Sequence, residues 1–424
     1  MRNEVAAVSR NGISPYLVGL LAAAMFLNYT DRGSLSIVAP VLKSQLGISN
    51  SAMGLLLSAF FWSYAIAQPA AGWVADRFAP RTVLAVATAL WSLATIACGL
   101  ATGLAMLFVF RMVLGLAESA IFPTNARIFA EHAPEWQRGR CNSAMSVGHS
   151  MGPTVGTLVG AMILLAYGWR AVFFALGGLS LLWLVPWLAR RDPSLEREAA
   201  EQHQPAPYRE ILRQRSLWGA CVAQFCYSYP FYLVLTWLPL YLVNTQHLSI
   251  SKMAVVTASL YALQAVAAVI SGWASDALIG NGGSPTLVRK GFVIAGMAAT
   301  GLLFAGAALT GGPVSTMLLI ASGFTVGISG TMVFTIGQTL AGARAGGRWM
   351  GIQNMCGNLS GIAAPIITGL VVDWSGSFAG AFLVSAALAV VGVLCWATIV
   401  GDIRPVEWSR PALARPLGPQ PLPA

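Results

Sequence analysis

Charge is what this sequence has least of: Asp, Glu, Lys and Arg make up 9% of its 424 residues, against about 25% in ordinary soluble domains. So few charges cannot cover a water-exposed surface. The 56% of hydrophobic residues also come in long runs parted by short polar breaks, which excludes a soluble globule. Acidic residues are scarcer than basic ones, 15 against 25, for a net charge of +10. A nucleic-acid partner would need that excess as a stripe on one folded face. Here the basic residues fall almost entirely in alternate loops, so they describe topology and imply no nucleic acid. Histidine and cysteine are also sparse, at 4 and 6, with no CxxC pair and no metal-site spacing. Cys98, Cys141, Cys221, Cys226, Cys356 and Cys395 lie in or beside apolar runs and read as small buried hydrophobes. No metal and no cofactor is implied.

What is present is a series of apolar runs, each long enough to cross a bilayer at about 20 residues per crossing. Spans are predicted at 16–39, 51–73, 82–103, 105–129, 141–166, 169–189, 217–243, 253–275, 290–310, 314–340, 348–372 and 378–400. The start, Arg2 to Arg10 before an apolar run, mimics a signal peptide but has no convincing cleavage site and reads as a retained first span. The one long polar break predicts a linker over 190–216, between a six-helix bundle at 1–189 and another at 217–401, with a tail at 402–424. Only Lys43, Arg170 and Lys252 fall on the side opposite the termini, and Arg32 and Arg111 lie inside spans. All other Lys and Arg lie on the terminal side, so the positive-inside rule predicts that both termini are cytoplasmic.

The halves repeat. Gly72-Trp-Val-Ala-Asp76 after the second span returns as Gly272-Trp-Ala-Ser-Asp276 after the eighth, and Gly148, Gly152 and Gly160 in the fifth return as Gly357, Gly361 and Gly369 in the eleventh. Duplicated six-helix halves are a transporter architecture, with the substrate site near the midplane between them. The predicted fold is an all-α membrane protein of twelve transmembrane helices in two pseudo-symmetric bundles, and no clustered nucleophile, base or metal ligands suggest an enzyme.

Gly72-Trp-Val-Ala-Asp76-Arg77-Phe-Ala-Pro-Arg81 resembles the loop signature of the major facilitator superfamily, departing from it at Ala79 and Pro80. The resemblance implies gating roles for Gly72, Asp76, Arg77 and Arg81, and for Gly272 and Asp276 in the second copy. Asn28-Tyr29-Thr-Asp31-Arg32 and Arg111-Met-Val-Leu-Gly-Leu-Ala-Glu118-Ser-Ala-Ile-Phe-Pro123 resemble the anion:cation symporter family, as do Leu235-Thr-Trp-Leu-Pro239 and Gly357-Asn358-Leu-Ser-Gly361. That family includes bacterial galactonate, glucarate, hexuronate and phthalate carriers. The resemblance implies proton coupling at Asp31 and Glu118, a substrate carboxylate at Arg32 and Arg111, and residence in a bacterial inner membrane.

The residues support that assignment independently. A charge at the bilayer centre costs about 2.5 to 3.5 kcal/mol on insertion scales, so Asp31, Arg32, Arg111 and Glu118 are expected to face a cavity and pair. Two acids and two bases neutralise one another. Arginine offers a planar fork that fits a carboxylate, whereas carboxylates can change protonation state. A purely structural salt-bridge set is the alternative, most of all for Asp31. The resemblance further implies substrate contacts at Tyr29, Tyr64 and His149 in the first half, with a packing role the alternative for His149, and Tyr232, Gln264, Asn354 and Asn358 supply uncharged hydroxyls and amides in the second. The expected function is proton-coupled import of a small organic anion, a sugar acid by preference, by a monomer in the lipid bilayer. An aromatic carboxylate is the alternative substrate, and a proton-driven exporter of drugs or metabolites is the rival class.

Overall fold

The computed structural model describes residues 13–133, 135–189, 195 and 206–408, with the side chains of all but 76, 130–131, 135–140, 142–143 and 343–344. The side chain of Asp76, most of the expected linker and the end of the tail lie outside the described residues. The described chain is helical, with no strand. In order, the helices are α1 Pro15–Leu46, α2 Asn50–Arg77, α3 Pro80–Leu100, α4 Leu104–Glu118, α5 Ile121–His132, α6 Glu135–Tyr167, α7 Trp169–Leu182, α8 Leu184–Ala189, α9 Tyr208–Leu212, α10 Arg215–Leu240, α11 Ile250–Gly280, α12 Pro285–Leu309, α13 Gly312–Ser375 and α14 Ala379–Leu394. Single π-turns, Tyr241–Thr245 and Cys395–Ile399, extend α10 and α14.

Among the described residues, eleven segments are long and apolar enough to cross a membrane. The twelfth crossing is α1, 32 residues long, whose mean hydropathy is lowered by the polar run from Asn28 to Arg32. The sequence predicts two separate spans over 314–372. The structure has one helical run bent at Gly342, whose φ of 61° and ψ of −176° lie where only glycine is unstrained. Its two arms, Gly312–Gly342 and Ala345–Ser375, each cross once. The fourth span is also interrupted, as α4 and α5. Pro123 has no N–H to offer the carbonyl of Ser119, and the break leaves Glu118 as the last residue of α4.

The internal repeat shows in the caps. Ser49 accepts from Ala52 N at the start of α2, and Ser249 accepts from Lys252 N at the start of α11, at the same offset that relates Gly72 to Gly272. The glycine echo is used in two ways. In the first half, Gly148 and Gly152 of α6 lie against α1, where an added Cβ would come within 2.5 Å of the Ala22 carbonyl and 2.6 Å of the Phe26 carbonyl. Thr30 Oγ1 of α1 donates to the Gly152 carbonyl at 3.0 Å. In the second half, Gly357 faces Gln224 of α10, but Gly361 and Gly369 face α2 of the other bundle, at Phe61 and Asn50. Overpacking a well-packed helix contact costs about 1–3 kcal/mol. Gly152→Leu is therefore expected to lower the thermal unfolding midpoint of the purified protein by several degrees, and an unchanged midpoint contradicts the close α1–α6 approach.

One side of the molecule carries Pro15, residues 206–215 and residue 400, and is called here the linker face; the other is the far face. A hydrophobic core runs through the first bundle and across to the far end of the second, joining Leu57, Phe60 and Phe61 to Leu233, Trp237 and Phe378. A second core, with Ile211, Met297, Trp349 and Trp396, is confined to the linker-face end of the second bundle. The bundles are thus packed together on the far side, while α5, at the linker face, packs chiefly on its own half. Arg127 of α5 likewise donates to the Ala75 and Phe78 carbonyls of that half, at 2.5 and 2.8 Å.

Candidate functional site

The site is built on α1. Consecutive residues point about 100° apart on a helix, so Asp31 and Arg32 cannot share a partner face. Arg32 faces α4 and α2. Its Nη2 donates to Glu118 Oε2 at 3.1 Å, its Nε reaches the same oxygen at 3.4 Å, and Nη2 also donates to Asn28 Oδ1 at 3.2 Å. Arg32 and Glu118 form the ion pair of the buried interior, with side chains 2% and 0% exposed. The guanidinium carbon lies 4.4 Å from the Tyr29 ring centroid, 4.7 Å from Phe60 and 4.6 Å from Tyr64. Three ring faces therefore add cation–π attraction, which grows where water is excluded. Among the described residues, Arg32 Nη1 has no acceptor. A buried donor left unmade costs about 1–3 kcal/mol, and Glu118 Oε1, Asp31 Oδ1 and Arg111 Nε nearby are likewise without partners among the described residues.

Asp31 turns toward α7, whereas Arg111 shares α4 with Glu118 and its guanidinium carbon lies 5.6 Å from the centroid of the Phe60 ring on which Arg32 also stacks. Asp31 Oδ2 accepts from Ser180 Oγ of α7 at 2.6 Å. Arg111 donates to backbone, to the Arg32 carbonyl at 3.0 Å and the Asp31 carbonyl at 3.4 Å. The four intramembrane charges thus lie around one point of α1, but only Arg32 and Glu118 pair directly. Arg111 ties α4, which carries Glu118, to the backbone of α1, which carries Asp31 and Arg32.

Toward the second bundle the lining is aromatic. His149 of α6 meets Tyr29 edge-on, 4.1 Å between ring centroids, and lies 6.3 Å from Phe231 of α10. Phe61 of α2 meets Tyr232 of α10 at 4.5 Å. Tyr232 OH donates to Asn358 Oδ1 at 2.6 Å, and Asn358 Nδ2 donates to the Asn354 carbonyl at 2.8 Å. Gln264 is buried with its Oε1 unpaired among the described residues. Tyr29, His149, Phe231 and Asn354 are half-buried. The closure at Phe61 and Tyr232 lies on their far-face side, continuous with the packed interface.

The expected gate residues lie at the linker-face ends of their helices. Arg77 and Asp276 are exposed at the linker face, Arg81 donates to the Leu188 carbonyl of its own half at 2.8 Å, a Cβ added at Gly72 would meet open space and one at Gly272 would lie 3.7 Å from the Thr331 methyl. Sequence reasoning passed over Phe60, Phe61 and Phe231, which look like ordinary core residues in an apolar run. It also passed over Asp373, whose signal was present: an acid in the last turn of a helix opposes the helix dipole and so calls for an external partner.

A family model described as Major Facilitator Superfamily matches residues 21–365 and 256–422. The chain is 30% identical to the probable galactarate/D-glucarate transporter of Bacillus subtilis, over 96% of this chain and 97% of that protein. It is 29% identical to the probable sulfoacetate transporter of Cupriavidus necator, over 89% and 92%, and 28% identical to the D-galactonate transporter of Escherichia coli, over 89% and 93%. Among solved structures, a bacterial homolog of the human lysosomal transporter Spinster, inward-facing and unoccupied, superposes with a TM-score of 0.74 at 18% identity, over 91% of this chain and 96% of that one, a likeness of fold.

Proposed function

Since the chain belongs to the Major Facilitator Superfamily, we propose that it imports an organic carboxylate, a sugar acid by preference, together with protons, by alternating access in a bacterial inner membrane with both termini cytoplasmic. The observation that carries this reading is the buried Arg32–Glu118 pair with Arg32 Nη1 unpaired. An entering carboxylate takes the free donor and competes with Glu118 for the guanidinium fork. A carboxylate stripped of its cation in a dry site is neutralised by a proton rather than carried bare. The empty set of Asp31, Arg32, Arg111 and Glu118 sums to zero, and so does the set loaded with one monoanion and one proton. Either loading alone leaves a net charge in the membrane, which is what ties the two fluxes together. If Asp31 also takes a proton, one positive charge moves inward, worth about 2.3 kcal/mol per 100 mV.

The names of the relatives support an anionic substrate, and the amides and hydroxyls at Asn354, Asn358, Tyr232 and Gln264 suit the hydroxyls of a sugar acid. Arg111 anchors α1 in this scheme, and the exposed Arg77 and Asp276, with Arg81 and Asp76, would meet the other bundle when the linker face closes. The test is thermal stability of the purified protein, wild type and Arg32→Gln, with sugar acids, aromatic acids, a small sulfonate and lipophilic cations. A ligand at 100 times its Kd adds about 2.7 kcal/mol if it binds only the folded state. A shift confined to sugar acids and lost in the variant is expected. A shift with lipophilic cations that survives Arg32→Gln overturns the proposal in favour of an exporter.

A further inference from the structure

At the far face an exposed carboxylate of the second bundle reaches across to the first. Asp373, in the last turn of α13, accepts from the backbone N–H of Asn50 at 3.0 Å and of Ser51 at 2.7 Å, and from Asn50 Nδ2 at 2.8 Å. Those N–H groups open α2, where no intrahelical acceptor exists for them and the helix dipole favours an anion. The same Asn50 receives Lys43 Nζ of α1 on its Oδ1, so a cation of the first bundle stands beside the acid of the second. Below this contact the two helices touch backbone to backbone. A Cβ on Gly54 would fall 2.3 Å from the Pro365 carbonyl, and one on Gly369 would fall 2.5 Å from the Asn50 carbonyl. Asp373 gains nothing from its own helix, since it adds negative charge where the α13 dipole is already negative. Its partners all belong to the other bundle.

We propose that Asp373, seated on the N-terminus of α2, is the latch that holds the protein in the state closed at the far face and open at the linker face, and that its release is the step that exposes the Arg32 site to the other side. Glycines at 54 and 369 let the surfaces meet, and the carboxylate holds them together. The latch is independent of what is carried, and its test needs no ligand. Amide hydrogen exchange is measured on the full chain in lipid nanodiscs, for wild type, Asp373→Ala, Asn50→Ala and Gly54→Val. Loss of an N-terminal helix contact of this kind by Asp373→Ala is expected to shift the ratio of the two states roughly fivefold. Exchange rises over residues 50–57 and 365–372 and falls over the linker-face segments 124–133 and 338–342. Asn50→Ala keeps the backbone donors and shifts less. Gly54→Val wedges the same interface with Asp373 intact and gives the same two-sided signature. If Gly54→Val gives it and Asp373→Ala gives only faster exchange at 50–57, or no change, the carboxylate is a local cap and the proposal is overturned.

Discussion

Glu118→Gln is expected to abolish proton-driven accumulation of substrate while leaving exchange of labelled for unlabelled substrate intact. The glutamine keeps the size of the side chain and one acceptor for Arg32, so the geometry around Nη2 at 3.1 Å is largely retained, but it carries no exchangeable charge. Substrate then no longer competes with an anion for the guanidinium, and its affinity is expected to rise and lose its dependence on pH. Reconstituted vesicles separate the two modes directly. An imposed pH gradient should give no accumulation in the variant, with counterflow near the wild-type rate. Accumulation that persists in Glu118→Gln would move the coupling to Asp31, whose carboxylate is held by Ser180 on the opposite side of α1.

The second large effect is expected at Arg32. Arg32→Lys keeps the charge but replaces a planar fork by a point charge that cannot span Glu118, Asn28 and an incoming carboxylate together. It also loses the stacking on Tyr29, Phe60 and Tyr64. Truncating one partner of a buried hydrogen-bonded charge pair costs about 2–5 kcal/mol, so substrate affinity should fall by a factor of roughly 30 or more, with uptake reduced to background. Arg32→Gln leaves Glu118 buried and unpaired and is expected to unfold more readily. The double variant Arg32→Gln with Glu118→Gln removes both charges. It should recover thermal stability without recovering transport, which separates the loss of binding from a loss of folding. Arg111→Lys is expected to behave differently. Its hydrogen bonds go to the backbone of α1, so its effect should appear in stability before it appears in affinity.

The span pattern was legible because hydrocarbon length fixes a run of about 20 apolar residues and the loops announce themselves by charge. Gly342 was not, since it lies in the glycine- and arginine-bearing break between two predicted spans, with Arg344, Gly346 and Gly347, where the residues signal a loop and not a bend through which a helical run continues. The site was half legible. A charge inside a span is costly wherever it stands, so Arg32 and Glu118 stood out before any geometry was known. Their pairing did not. Helical periodicity puts Arg111 and Glu118 on one face, yet seven residues of rise separate them by about 10 Å, beyond direct contact. Partners had to come from another helix, and the register between helices is set by contacts such as Thr30 with Gly152, which no single run of residues encodes. For the same reason the aromatic walls at Phe60 and Phe61 were invisible: their role depends on which way α2 is turned against α1 and α10.

The central claim is that substrate displaces Glu118 from Arg32 and that Glu118 then takes a proton. The direct measurement is proton uptake on binding, read with a pH indicator in weakly buffered detergent solution near neutral pH as a sugar acid is titrated into the purified protein. Net uptake approaching one proton per bound monoanion is expected for the wild type, and none for Glu118→Gln at matched saturation. Saturable binding without proton uptake in the wild type, or with the same uptake in Glu118→Gln, would contradict it.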